Sequence, residues 1–167
     1  RGNSVEENSA LMTPLMENRG ELLARINAAV ALAKAQPEAD TGRVAVIGYC
    51  FGGLCALDLA RSGADVRGVV SFHGLLKPNG LPAKPIKAKA LVLHGADDPM
   101  APIEDVVAFR KEFTEGGSDW QLHLYGHTQH AFSVPGANIA DLGIKHNADA
   151  ERRSAVSERD FLKEVLA

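Results

Sequence analysis

The stretch Arg43-Val-Ala-Val-Ile-Gly48-Tyr-Cys50-Phe-Gly52-Gly53-Leu-Cys55-Ala-Leu-Asp-Leu-Ala-Arg61 decides how this chain is read. Residues 43–48 form a short β-branched run stopped by glycine, the pattern of a strand buried on both faces. Residues 52–61 read as a helix that begins directly after it. A thiol therefore sits in a turn of the form G-x-Cys-x-G-G between a strand and a helix. A nucleophile elbow is built this way: a tight, strained turn lifts one side chain above the sheet. Small residues two before and two after the thiol let the strand and helix backbones approach. The turn also lies at a helix N-terminus, whose partial positive charge favours thiolate over thiol. The bland alternative is a small buried apolar residue, the usual fate of a free cysteine. The glycine-flanked turn favours the reactive reading for Cys50. Cys55, inside the helix pattern, has no such turn and reads as core.

Outward from this segment, apolar runs alternate with helical patterns. Residues 66–72, 90–94 and 120–125 read as further strands. Residues 21–36 read as a helix with Leu22, Ile26, Ala29 and Ala33 on its face, ended by Pro37. Residues 103–115 read as a helix with Ile103, Val106, Val107, Arg110 and Phe113 on one side. Residues 148–166 read as a closing helix buried through Val156, Phe161, Val165 and Leu166. Residues 11–17 suggest a turn or short helix, and residues 1–8 read as polar and turn-like. Residues 74–89 and 126–147 carry no regular pattern, and stretches of that length are functional loops. Strands alternating with helices imply βαβ units and a parallel sheet, so the fold class is α/β, with one domain over residues 1–167.

Composition agrees with this. The 167 residues are 46% apolar and 23% charged, near the globular average. Formal net charge is -3 and no basic block stands out, which argues against a nucleic-acid partner. No run approaches the roughly 18 apolar residues of a membrane span. Two cysteines cannot build a disulfide scaffold. A cytoplasmic location and a small-molecule partner are expected, with no nucleic acid and no membrane.

In a parallel sheet, sites lie beyond the carboxyl ends of the strands. After the third strand comes His94-Gly-Ala-Asp97-Asp98-Pro99. An acid here could orient a histidine, or the segment could be a solvated Asp-Pro turn. Asp98 is favoured because it directly precedes the rigidifying proline; Asp97 reads as a turn or capping residue. After the fourth strand, Tyr125-Gly-His127-Thr-Gln-His130-Ala-Phe132-Ser133 offers two histidines. His130 precedes a small residue and an aromatic, and His127 reads as loop-stabilising. His73 and His94 end strands and could line a pocket or cap the sheet, His123 alternates within a strand, and His146 sits in the long loop. A zinc reading of His123, His127 and His130 fails, because four-residue spacing needs a helix and neither cysteine lies nearby in sequence. No metal and no cofactor are expected. A helix N-terminus at the Gly52-Gly53 turn could cradle a phosphate, but the chain lacks both G-x-x-x-x-G-K-S/T and G-x-G-x-x-G. Nucleophile, acid, then histidine is the chain order of α/β hydrolases.

On these residues the chain resembles the dienelactone hydrolase family, a cysteine-nucleophile branch of the α/β hydrolases. The resemblance rests on Gly48-Tyr-Cys-Phe-Gly-Gly53, Ser71-Phe-His-Gly74, His94-Gly-Ala-Asp-Asp-Pro99, His130-Ala-Phe132, and the entry to the last helix at Asn147-Ala-Asp-Ala-Glu-Arg-Arg-Ser154. It implies Cys50 as nucleophile, His130 as base, Asp98 as its orienter and the Phe51 N–H as an oxyanion donor. It implies a three-layer sandwich and cleavage of ester or lactone bonds, carboxymethylenebutenolidase-type, through an acyl-enzyme. Tyr49, His73 and Phe132 become candidate pocket residues. Family members run longer at the N-terminus. The chain therefore reads as the C-terminal part, with about four parallel strands and flanking helices, lacking one oxyanion donor and the acid that pairs with the resting cysteine. Of two arginines that bind a substrate carboxylate in the founding enzymes, one falls at Val134; the other corresponds to the region of Arg1. Without earlier strands, the 43–47 strand would be a sheet edge, which a longer chain or pairing with a neighbouring copy would cover. Two other readings stand beside this one. The first is a glutamine-amidotransferase-like or stress-protein-like cysteine enzyme, although no His-x-Glu occurs. The second is a non-catalytic fragment or binding domain, with Cys50 no more reactive than Cys55.

Overall fold

The computed structural model describes residues 2–167. The chain runs α1 (Val5–Glu17), α2 (Arg19–Lys34), β1 (Ala45–Tyr49), α3 (Phe51–Arg61), β2 (Gly68–Phe72), β3 (Lys89–Gly95), α4 (Ile103–Glu115) and β4 (Trp120–Tyr125). A small hairpin of β5 (Asn138–Ile139) and β6 (Ile144–Lys145), joined by a 3-10 turn, precedes α5 (Ala148–Val165). The main sheet has the order β1-β2-β3-β4 and every pairing is parallel. Its register aligns Tyr49 with Phe72, Phe72 with Leu93 and Leu93 with His123. The carboxyl ends of all four strands therefore reach one rim.

Strand alternation sends side chains to two faces. On one face Val69, Ala90 and Val92 pack with Leu57 and Ala60 of α3 and with Val106, Phe109 and Phe113 of α4, and Ile26 and Val30 of α2 close the edge. On the other, Val70, Leu91 and Leu93 pack with Phe132 and with Ala150, Phe161 and Val165 of α5. Helices, sheet and α5 make three layers. β2 and β3 are buried along nearly their whole length, as their β-branched and leucine-rich runs require.

α3, which carries the turn of interest at its start, is anchored by charge as well as by packing. Asp58 is fully buried and accepts two bonds from Arg19 of α2, each 2.7 Å, and one from Arg61 at 3.1 Å. Arg61 also donates to Glu112 of α4 and to the Leu76 carbonyl. Stripping one partner from such a cluster leaves an uncompensated buried charge, which typically costs ~3–5 kcal/mol.

Several expectations need correction. α1 begins at Val5, six residues before the expected turn or short helix. Ser4 caps it by accepting the Glu7 N–H, so the S-x-x-E signature is present. In α2 the packed stripe is Leu22, Ile26 and Val30, while Ala29 and Ala33 are exposed. In α4 the buried residues are Val106, Phe109 and Phe113, whereas Ile103 and Val107 are exposed. Phe109 wins because its ring meets Phe113 at 4.4 Å and Trp120 at 5.8 Å, burying more area than a valine could. In α5 the buried set is Ala150, Ser154, Phe161 and Val165, and Val156 is exposed. Residues 126–147 are not wholly irregular: they hold the β5–β6 hairpin.

β1 is an outer strand with a single neighbour, and its Ile47 and Tyr49 are exposed. Among the described residues, no helix is long and apolar enough to cross a membrane.

Candidate active site

Cys50 occupies the turn between β1 and α3 with φ 53° and ψ -118°. An L-residue held there costs of order 1–3 kcal/mol and persists only where the surroundings over-determine it. Here they do. The Cys50 N–H donates to the Phe72 carbonyl at 3.0 Å, and the Cys50 carbonyl accepts from Gly53 at 2.9 Å. A Cβ on Gly48 would lie 1.9 Å from the Gly52 carbonyl oxygen, so the strand can enter this turn only through glycine. A Cβ on Gly53 would come within 2.5 Å of Ser71 Oγ. Gly52, by contrast, has open space where its Cβ would be. The tight positions are thus two before and three after the thiol, not two before and two after.

The other two groups arrive from the next rim loops. Asp98 lies just past β3 with its side chain fully buried. One carboxylate oxygen accepts the Met100 N–H at 2.9 Å; the other accepts the His130 Nδ1–H at 2.8 Å. His130 Nε2 lies 3.1 Å from Cys50 Sγ. The result is a continuous sulfur–imidazole–carboxylate chain. Its loops are stitched together through backbone. Ala96 N–H donates to the Tyr125 carbonyl, and Asp97 N–H to the Thr128 carbonyl. His130 itself is clamped: its N–H donates to the Gly143 carbonyl and its carbonyl accepts the Lys145 N–H, each at 3.0 Å. Asn147 Nδ2 donates to Thr128 Oγ1, closing the same loop.

The electrostatics follow from these contacts. Burial pushes the Cys50 thiol up, but the hydrogen bond and charge of His130, with the Phe51 N–H, outweigh it and hold the thiol below its ordinary value. Burial opposes charge on His130 too, yet Asp98 and Cys50 raise its pKa to about 9. The two directions agree, and together they favour a thiolate–imidazolium pair. Cys55 is the opposite case: half-buried in α3, it is pushed up to about 11 by burial and by the nearby Asp58 charge.

The remaining sequence candidates fall elsewhere. Asp97 is exposed and turns the loop, and His127 is exposed with φ 54°. His94 is buried with Nε2 against the Ala101 carbonyl, His123 bonds Ser157, and His146 bonds Glu151. Both ring nitrogens of His130 are taken by Cys50 and Asp98, and His123 is engaged with α5, so the three histidines of the zinc reading do not converge. Tyr49 is exposed and stacks on Phe72 at 4.6 Å. His73 and Phe132 are buried, at 1% and 0% exposure. Val134 is exposed; Arg1 lies outside the described residues. A cleft of about 720 Å³ lies between the 78–86 loop and the end of α4, and includes none of Cys50, Asp98 or His130. The chemistry, not the volume, locates the site.

Sequence reasoning missed the backbone clamp from residues 143–145, the Met100 N–H on Asp98, and Ser133, which bonds His73. Two-residue strands carry no periodicity, so the clamp left no signal. The Asp-Pro turn did hint at a side-chain acceptor for a nearby N–H.

The parallel sheet between helical layers, with Cys50, Asp98 and His130 on three of its rim loops, matches the α/β-hydrolase fold of its solved relatives. The chain belongs to the dienelactone hydrolase family, whose profile matches residues 1–166. It is similar to the dienelactone hydrolase-like promiscuous phosphotriesterase P91 from metagenomic libraries. The two are 35% identical with a TM-score of 0.90 over 98% of this chain and 70% of that one. It is 36% identical to uncharacterized protein K02A2.1 of Caenorhabditis elegans, covering 90% of this chain and 98% of the worm protein. A Methylorubrum extorquens protein named "Putative carboxymethylenebutenolidase" is 27% identical; the match covers 67% of this chain and 42% of that protein's length.

Proposed function

We propose that this member of a hydrolase family cleaves carboxylic esters or lactones with Cys50 as nucleophile, His130 as proton carrier and Asp98 as its orienting acid. The observation that carries the proposal is the unbroken contact from Cys50 Sγ through His130 to Asp98, 3.1 and 2.8 Å. The thiolate attacks the ester carbonyl carbon, and the carbonyl π electrons move onto oxygen. The Phe51 N–H, which lies against the sulfur at the start of α3, is placed to stabilise that oxyanion. The tetrahedral species collapses by expelling the alkoxide, which takes the proton from His130 Nε2 and leaves a thioester on Cys50. Acylation removes the sulfur's negative charge, one of the groups that raise His130. The imidazole is then a competent base: it takes a proton from water, whose oxygen attacks the thioester, and collapse expels the thiolate beside the imidazolium, which restores the starting ion pair. In a lactone the leaving oxygen stays tethered to the acyl group. The likeness to P91 adds phosphotriesters as a second electrophile to assay.

Two measurements test this. Quenching the protein in the course of aryl ester turnover, followed by peptide mass analysis, is expected to find the acyl group on Cys50; an acyl adduct on any other residue contradicts the proposal. The pH dependence of kcat/KM is expected to be bell-shaped. Because the thiol is held down, the acid limb lies below the ordinary thiol value of ~8.5. Because His130 is raised, activity falls again as pH passes about 9 and the proton for the leaving group is lost. These are apparent values of the pair. An acid limb at or above ~8.5 would show that no ion pair forms.

A further inference from the structure

We propose that His73, acting with Ser133, is a positioning residue that fixes the His130 ring over the Cys50 sulfur; this rests on the hydrolase reading above. His73 follows β2 and does not belong to the sulfur–imidazole–carboxylate chain. Its backbone has φ 38°, a conformation rare for a residue with a side chain, and its N–H is pinned to the Leu93 carbonyl at 2.8 Å. Its ring is almost fully buried and stands edge-on to His130, with centroids 5.1 Å apart, and to Phe132 at 5.2 Å. Nε2 lies 2.9 Å from Ser133 Oγ.

His73 Nε2 and the Ser133 hydroxyl share one hydrogen bond. The titratable groups facing His73 are His130, Asp98, His94 and Tyr49, whose ring centroid lies 6.0 Å away; burial and the positive His130 hold it near 4, so it stays neutral beside an imidazolium. Ser133 lies three residues after His130, beyond Ala131, which is itself at φ 57°. The bond to Ser133 therefore ties the strained segment carrying His130 to the end of β2. The Gly143–Lys145 clamp holds the His130 backbone, and the His73 edge sets the tilt of its ring.

Without the tether, the Cys50–His130 contact loosens and the thiol drifts back toward its ordinary value. In the full chain, Ser133→Ala is expected to lower kcat ten- to a hundredfold with KM within twofold. It is also expected to move the acid limb of the pH profile upward. Ser133→Thr, which keeps the hydroxyl, restores both. His73→Phe keeps the ring edge but loses the hydrogen bond to Ser133. Its loss combined with Ser133→Ala is expected to be no greater than either alone, as for two ends of one bond. The rate of Cys50 alkylation by iodoacetamide at pH 6.5 reports the same contact without any substrate, and both variants are expected to slow it. If hydrolysis proves independent of Cys50 but Ser133→Ala still slows alkylation, the hydrolase reading fails and the positioning role survives. If Ser133→Ala leaves alkylation rate and pH profile unchanged, or the two substitutions multiply, the positioning role is wrong. Should His73→Phe fail to fold by far-UV circular dichroism, Ser133→Ala, half-exposed and outside the core, decides alone.

Discussion

Cys50→Ala is expected to reduce kcat/KM for a chromogenic aryl ester by about 10⁵- to 10⁶-fold, the scale on which removing one member of a nucleophile–histidine pair acts. Such a loss corresponds to roughly 7–8 kcal/mol of transition-state stabilisation. Alanine keeps the Cβ, so the turn at φ 53° is no more strained than before. What disappears is the bond-forming sulfur and the partner of His130 Nε2. His130 loses two of the influences that raise it and titrates below about 9 in the variant, which ¹H–¹⁵N imidazole spectra can follow. The residual rate measures what binding and the Phe51 N–H achieve alone. Cys50→Ser separates geometry from nucleophilicity: it preserves a hydroxyl in place, but an alcohol is not ionised by this imidazole to the same extent, and a loss of about 10³-fold is expected. Activity of the alanine variant within tenfold of the parent would remove Cys50 from the mechanism.

Asp98→Asn is the second large effect. Asparagine preserves size, and its oxygen can still accept the Met100 N–H. Its amide then turns a donor toward His130 Nδ1, where a carboxylate accepts now. The ring must move its proton or break the contact, and Nε2 no longer pairs with a thiolate. In a serine-protease triad the same exchange costs about 10⁴-fold, and a loss of that order is expected at pH 7. The pH profile discriminates mechanism from mere damage. With Asp98 neutralised, a main support of the raised His130 is gone, so the alkaline limb moves down from about 9 and the active pH window narrows from that side. A loss below tenfold with an unmoved profile would mean that Asp98 only shapes the turn.

The residues that sequence reasoning located well are those whose local chemistry admits few structures. The four strands were legible because short apolar runs, read at residues 43–48, 66–72, 90–94 and 120–125, have few alternatives between turn signals. The sharp bend was legible because only glycine fits at Gly48. That Cys50, Asp98 and His130 each follow a strand could be read from order alone. That their atoms meet could not, since it depends on strand register and on backbone bonds from residues 143–145 that leave no periodic trace. Helix faces failed where tertiary packing outbids pattern. Phe109 displaced Val107 from the core because two aromatic partners were waiting, and Val156 stayed outside because α5 turns Ala150, Ser154 and Phe161 toward the sheet. His73 was legible only as a strand-end histidine. Its role as a neutral neighbour of a charged one needed the 2.9 Å bond to Ser133 to come into view.

The contrast between the two thiols carries a practical consequence. Cys55 is pushed up to about 11 while Cys50 is held down. A mild electrophile at neutral pH is therefore expected to label Cys50 well ahead of Cys55. A fluorophore or a covalent inhibitor scaffold can be attached at the elbow without engineering away the second sulfur, and Cys55 remains as the built-in standard against which that selectivity is measured.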